Sequence, residues 1–297
     1  MWMKLNAPWA ALAMALAATT HAYGLEVVAD NTVGGFRFPE SVACDAGSDA
    51  FYVSEFVSAL KPGEKDGLGR ISKVARDGTV IEAQFLPAPG DVLHKPKGVW
   101  IAGERLWVTD IDAVWVFDMQ SRKGRKLALP GAEFANDVAL AGKTLYVTDN
   151  RLDTVFAISP ADFLDDSLTP TVTRIAAGQS VFPNGIYPAA QGGLLLAGMA
   201  GDGELRGIYV VDDAGEVAPL TEALGRLDGL YQMPDGTLLT TDWSSAALLA
   251  WREEGGRQLL AEGFTGPADF CALPSGDDLL VVVPDLVKGE LRLIRLQ

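Results

Sequence analysis

Four oxygen-bearing side chains recur at one phase of a repeated pattern: Glu40 in PESV, Asn136 in NDVA, Asn184 in PNGI and Asp228 in LDGL. Two carboxylates and two amide oxygens make a hard, anionic donor set. Hard divalent ions suit such a set, and Ca²⁺ accepts mixed carboxylate, amide and water ligands in flexible geometry. Soft or imidazole-preferring metals do not suit it, because the whole chain carries two cysteines and two histidines. Asn and Asp where a strand begins also serve turn backbone. Turn chemistry, however, has no reason to choose oxygen donors at one phase four times.

Each donor opens the same short block: a strand, a Gly-containing turn, and a second strand that ends in an acid. FANDVALAGKTLYVTD, residues 134–149, is a clear copy. Six copies have Glu40, Lys97, Asn136, Asn184, Asp228 and Ala268 at the common phase, 39 to 57 residues apart. Repeats of about 40–50 residues, each holding several short strands, predict propeller blades. The expected fold is therefore all-β, a six-bladed β-propeller made of residues 23–297 as one domain. A closed ring would bring same-phase residues to one mouth of the central tunnel. The last copy ends one strand short, and Leu25–Asp30 precedes the first copy without a hairpin partner. That N-terminal strand is expected to complete the last blade and cover its edge.

The other phase positions differ in chemistry. The Lys97 ammonium cannot ligate a cation; it could pair with a substrate carboxylate or phosphate, stabilise an oxyanion, or balance nearby acids. Ala268 offers nothing chemical. Asp137 and Asp269, one residue further on, point to the other side of their strands and read as support first, with ligation as the alternative. Asp110, Asp149 and Asp242 end second strands, where acids cap turns or, as the alternative, touch a ligand. Trp243 beside them would wall the pocket or pack between blades. The connection from Val57 to Gly69 is a candidate lid over the mouth, or a solvated hairpin tip. A Ser-His-Asp triad would need His94, three residues before the phase position. No GxSxG, HExxH, CxxC or phosphate-binding Gly-rich loop occurs.

Composition sets the setting. Residues 1–22 carry Lys4 as their one charge and the apolar run AALAMALAA, which reads as a secretory signal peptide, with a membrane anchor as the alternative. A periplasmic or secreted monomer is expected, with no membrane span once the signal is removed. The net charge of −15 argues against nucleic acid as a partner. Cys44 and Cys271 fall on the first strands of blades one and six, neighbours in a closed ring, with opposite strand parity. They would either form a disulfide in an oxidising compartment or lie apart as two buried small hydrophobes.

In order and spacing, PESV, KPKG, NDVA, PNGI, LDGL, TDW and GPAD resemble the senescence-marker-protein/gluconolactonase family of regucalcin-like proteins, over nearly all of residues 23–297. The resemblance implies a six-bladed propeller with a divalent ion, often Ca²⁺, at one tunnel mouth, and hydrolysis of lactones or related esters. It implies metal ligation by Glu40, Asn184 and Asp228, with Asn136 a further ligand or a substrate contact. Asp228 would be the general base or nucleophile. Two positions depart from relatives. Phe134 stands where regucalcin-like gluconolactonases carry an arginine, and Lys97 stands where a paraoxonase-type histidine dyad would be needed. The expectation is a metal-dependent hydrolase of a small-molecule lactone or ester, with Asp228, Asn136 and Lys97 as catalytic residues. The alternative is a non-catalytic propeller that binds a ligand or protein and holds a structural ion.

Overall fold

The computed structural model describes residues 24–297, apart from residues 46 and 177. The expected signal peptide lies outside the described residues. Each sequence copy folds into a four-stranded antiparallel blade, whose strands are called A to D from the tunnel outward. Blade one is Pro39–Asp45, Ala50–Glu55, Arg70–Ala75 and Val80–Leu86. Blades two to five begin with Pro96–Ala102, Ala135–Ala141, Pro183–Pro188 and Leu227–Gln232. The six sheets confirm the six-bladed propeller, and no helix long and apolar enough to cross a membrane occurs among the described residues.

The middle strands explain why the blades stack. Ala50–Glu55 is buried at every position, so both faces of that strand meet protein. Side chains from adjacent blades interdigitate, as in face-to-face sheet packing. Between blades one and two, Tyr52, Ile71 and Phe85 meet Val108, Trp115 and Phe117. Equivalent apolar clusters fill the other junctions, including the one between blades six and one.

Blade six takes Cys271–Ser275, Asp278–Asp285 and Glu290–Leu296 from the end of the chain and Val27–Gly34 from its start. The N-terminal strand thus closes the ring, as expected, but it lies further along than residues 25–30. Leu25 instead exchanges two hydrogen bonds with the side chain of Gln258 on blade five, at 3.2 and 2.7 Å. Asp30 pairs with Arg292 across the joint. The A strand of blade six also starts late, three residues after Ala268. The Asp269 N–H points at the Glu40 carbonyl of blade one, at 3.1 Å, so that stretch serves the neighbouring blade before it joins its own.

Cys44 and Cys271 form a disulfide, with their Cα atoms 5.6 Å apart. Of the two sequence alternatives, the bridge is correct: opposite parity on adjacent A strands turns the two side chains toward each other. Blades one and six are therefore joined covalently beside the tunnel and by strand pairing at the rim.

A thiol count on denatured, unreduced protein should find no free thiol. A bridge over so long a loop contributes about 3–5 kcal/mol in the chain-entropy picture. Replacing both cysteines with serine, or starting the chain at Gly35, should each lower the urea midpoint. Combining the two changes should cost more than the sum of the separate losses, because each staple holds the joint when the other is gone. Additive losses would show that the two act on different openings.

Candidate functional site

In blades one to five the A strand carries one residue more than its B strand at the mouth end. Pro39 pairs with Glu55 and Ser41 pairs with Ser54, which leaves Glu40 without a partner. The same shift separates Pro96 from Val99, Ala135 from Val138, Pro183 from Gly185 and Leu227 from Leu230. Glu40, Lys97, Asn136, Asn184 and Asp228 therefore sit on β-bulges, which bend the strand and re-aim a side chain.

The residues around each bulge explain why it forms. The B-strand residue opposite is Ser54, Thr109, Thr148 or Thr241 in four of the blades, and its hydroxyl fills the gap. Ser54 Oγ accepts from the Ser41 N–H at 2.9 Å and donates to the Lys97 carbonyl at 2.7 Å. Thr148 Oγ1 accepts from Asp137 N–H and donates to the Asn184 carbonyl, at 2.8 and 2.7 Å. Thr241 links Gly229 N–H to the Ala268 carbonyl, and Thr109 donates to the Asn136 carbonyl. Each hydroxyl thus ties the phase residue of the next blade to its own blade. Blade four has Ala197 at this position and uses close contact instead. A Cβ on Gly185 would lie 2.0 Å from the Asp228 carbonyl oxygen, so only glycine fits there.

The five polar phase residues are all buried, none more than 8% exposed. Burial raises the Glu40 carboxyl well above its usual range; the nearby Asp228 charge adds to this and Lys97 opposes it. Asp228 is pushed up to about 7 by burial and then by the Asp269 charge, against hydrogen bonds from Trp243 and Asn184. Trp243 Nε1 donates to Asp228 Oδ2 at 2.7 Å. Asn184 turns Nδ2 to Met199 Sδ at 3.6 Å and to Asp228, which leaves its Oδ1 as the acceptor atom. Lys97 is lowered to about 8 by burial, with the Glu40 and Asp110 charges pulling the other way. Glu40, Lys97, Asn184 and Asp228 thus form one electrostatic group. Asn136 occupies the same kind of bulge, but no hydrogen bond joins its side chain to the group among the described residues.

The surrounding residues have structural partners. Asp137 accepts from Val138 N–H and from Ile186 N–H of blade four, at 2.7 and 2.8 Å. Asp269 accepts from Ser41 Oγ of blade one at 2.5 Å and from Phe270 N–H. Both support the ring, as expected, and both line the tunnel, where Asp137 is raised by burial and then by the Asp269 charge. Asp110, Asp149 and Asp242 cap loops: Asp110 takes His94 and Lys95 N–H, Asp149 takes Glu133 and Phe134 N–H, and Asp242 takes Arg226 N–H. Sequence reasoning missed Glu55 and Asp285, which do the same for Arg37 and Thr265. Their position at the end of a B strand was the available signal.

Contacts bear on two further sequence readings. The segment 57–69 is latched rather than free: Lys95 Nζ reaches Ser58 Oγ and Asp66 Oδ2, both at 2.5 Å, and Gly67 N–H donates to His94 Nδ1 at 3.0 Å. Of the two readings for Trp243, packing between blades is the one its contacts show, and Trp243 also holds Asp228. It bonds Asp228 and packs with Phe38, Phe56, Ala268 and Leu286.

Among the described residues, no three Asp, Glu, His or Cys side chains cluster as a metal site. The donors here are two carboxylates supplemented by amides. That set fits a hard, oxygen-seeking divalent ion and does not fit zinc. A cation would also relieve the mutual repulsion of Glu40 and Asp228, which Lys97 opposes only in part.

No protein-family model and no curated protein matches the chain. Solved structures do. A candidate gluconolactonase superposes with a TM-score of 0.66 at 17% identity, covering 92% of this chain and 94% of its own. Virginiamycin B lyase from Staphylococcus aureus superposes with a TM-score of 0.60 at 12% identity, covering 90% and 99%. A catalytically inactive histidine-to-alanine variant of that lyase with quinupristin gives 0.57 at 13% identity, covering 90% and 99%. At these identities the likeness shows the six-bladed fold and nothing finer.

The buried carboxyls give the cation-free protein a defined pH response. A carboxyl raised by folding binds its proton more tightly in the folded chain, so its stabilisation is complete below the unfolded value of 3.8 and is lost as pH rises through about 7. In chelator, the melting temperature should fall as pH rises across this window, and Asp269→Asn should shallow the fall. A flat profile would show that these carboxyls are not held protonated.

Proposed function

We propose that this protein is a divalent-ion-dependent hydrolase of a lactone or ester, with Glu40, Asn136, Asn184 and Asp228 holding the ion and Ca²⁺ the best-fitting choice. The observation that carries the reading is the bulge ring. Buried Glu40 and Asp228, 188 residues apart in the chain, stand on equivalent bulges and are close enough for the Asp228 charge to raise Glu40, which supports a shared site among the oxygen donors. When bound, such an ion polarises a carbonyl oxygen and stabilises the negative charge that develops there.

The chain's own groups supply the remaining steps. Asp228 takes a proton from a water molecule through Oδ1, while Trp243 keeps Oδ2 fixed. The water oxygen bonds to the carbonyl carbon, the acyl–oxygen bond breaks, and the proton passes from Asp228 to the departing alkoxide. The Lys97 ammonium, buried beside Glu40, stabilises anionic charge on the substrate, and Asn136 orients the carbonyl from the adjoining bulge. Ala268, Trp243 and Phe38 form an apolar side that keeps bulk water away. His94 is engaged by Gly67 N–H, so this route uses no histidine, unlike the lyase neighbour that a histidine replacement inactivates.

The gluconolactonase-like neighbour supports a lactone as substrate. Export through residues 1–22 to the periplasm or beyond agrees with the Cys44–Cys271 bridge, since disulfides persist in oxidising compartments. A second reading has one observation in its favour: the four donors come from four different blades, so an ion there would also tie the ring. In that reading the ion is structural and the mouth only binds.

A panel of aryl esters and lactones, assayed with chelator and after Ca²⁺ is restored, separates the two. Hydrolysis should vanish with chelator and return with Ca²⁺. Asp228→Asn should lower kcat by about 10²–10⁴-fold. Hydrolysis that ignores the chelator would overturn the ion-dependent mechanism. Chelator-induced loss of melting temperature with no hydrolysis of any panel member would favour the structural ion.

A further inference from the structure

The mouth is chemically lopsided, and its two sides define what a substrate must carry. On the side of blades five, six and one, the apolar wall of Trp243, Phe38 and Ala268 is backed by buried Phe56 and Leu286. Blade three stands opposite blade six in a ring of six. There the half-buried ring of Phe134 lies under two cations: Lys97 Nζ is 4.4 Å and the Arg151 guanidinium 4.5 Å from its centroid. The two cations are close enough for Arg151 to disfavour the charge on Lys97.

Neither cation is consumed by the fold. Lys97 is fully buried, yet its ammonium meets one acceptor, the Lys95 carbonyl at 3.3 Å, and forms no ion pair among the described residues. A buried ammonium left with spare donors is costly unless something completes its shell. Its neighbour Lys95 shows the contrast, with Asp66, Ser58 and the Phe56 carbonyl around Nζ. Arg151 is exposed and likewise forms no ion pair among the described residues. The acids around Lys97 have other work: Asp110 and Asp149 accept backbone N–H groups, and Glu40 belongs to the ion site. In a chain of net charge −15, two cations stacked on one ring at the mouth form a local exception.

We propose that Lys97, Arg151 and Phe134 form an anion-recognising clamp, so that the substrate is a lactone or ester bearing a carboxylate, with its apolar part against Trp243 and Phe38. This rests on the hydrolase reading above. Arg151 offers the planar fork that matches a carboxylate, Lys97 supplies a point charge below it, and the Phe134 face holds both in place. The reacting carbonyl then lies between clamp and wall, over Glu40 and Asp228.

The test uses the Ca²⁺-loaded protein and two esters matched in acyl length, para-nitrophenyl hydrogen glutarate and para-nitrophenyl pentanoate. The anionic ester should show a KM about tenfold lower than the neutral one. Arg151→Gln should bring the ratio of the two KM values close to one, and added salt should do so progressively. Equal KM values in the wild type, or a ratio that Arg151→Gln leaves intact, would overturn the clamp. A calorimetric arm titrates glutarate and, as the neutral control, glutaramide. If neither ester is hydrolysed, glutarate binding that Arg151→Gln weakens about tenfold keeps the clamp while the hydrolase reading fails. Glutarate binding unchanged by that variant is capture by the ion alone and rejects the clamp, as does no binding at all.

Discussion

The site depends on one extra residue per A strand and on the hydroxyl that fills the space it leaves. A bulge spends a ladder position, and an unfilled gap would strand backbone N–H and C=O groups in a buried ring. Ser54, Thr109, Thr148 and Thr241 prevent this, and those whose bulge N–H is engaged do so with both functions of one hydroxyl. Because the donated bond lands on the next blade, the correct bulge in one blade fixes the backbone of its neighbour's phase residue. The side chains at the mouth are positioned relative to one another by a continuous chain of short bonds around the axis, with Gly185 and Asp269 completing it by close approach and by a direct N–H.

That rigidity lets the ring hold charges that repel. Glu40, Asp137, Asp228 and Asp269 lie in the buried inner ring, and Lys97 is the fully buried cation whose charge offsets Glu40. The four acids are not equivalent. Asp137 and Asp269 give their oxygens to N–H and O–H donors of adjoining blades, so their charge is used in assembly. Glu40 takes no side-chain hydrogen bond among the described residues, and Asp228 takes one from Trp243 Nε1 at Oδ2. Desolvation falls on all four. The structural acids stand one residue past the phase position, in blades three and six, and the candidate working acids stand at that position, in blades one and five; successive side chains of a strand go to opposite sides.

The fold was legible because a propeller repeats. Six copies of a two-strand block and an unpaired strand at each end leave few other ways to satisfy the edges, and the ring closure followed from counting strands. The phase of Glu40, Asn136, Asn184 and Asp228 was legible for the same reason. The bulges were not, since nothing in PESV or LDGL marks an inserted residue until the partner strand is known. The hydroxyl ring was equally hidden: Ser54 and Thr148 read as ordinary strand residues when their partners lie in another blade. Arg151 escaped notice because it follows the B strand, off the repeated phase, and its contact with Phe134 spans a loop. Cys44 and Cys271 had the right parity, but parity does not set distance; the late start of blade six and its bond to Glu40 bring the strands to 5.6 Å.

The places where the repeat is broken carry as much meaning as those where it is kept. Six identical donors would make a symmetric ring and would present every approaching molecule with the same face. Here blade six contributes Ala268 and blade two contributes Lys97. The first lets Trp243 and Phe38 come close and makes one side apolar. The second places a cation where oxygen donors would otherwise continue, against the ring of Phe134 as well as beside Glu40. An approximately six-fold scaffold thereby acquires a direction across its mouth, from an apolar wall, over the oxygen donors, to a cationic side. The bulge geometry is shared by blades one to five, so this polarity costs the scaffold nothing in backbone form. It is written in side chains alone, where substitution can change what is recognised without disturbing how the ring is held.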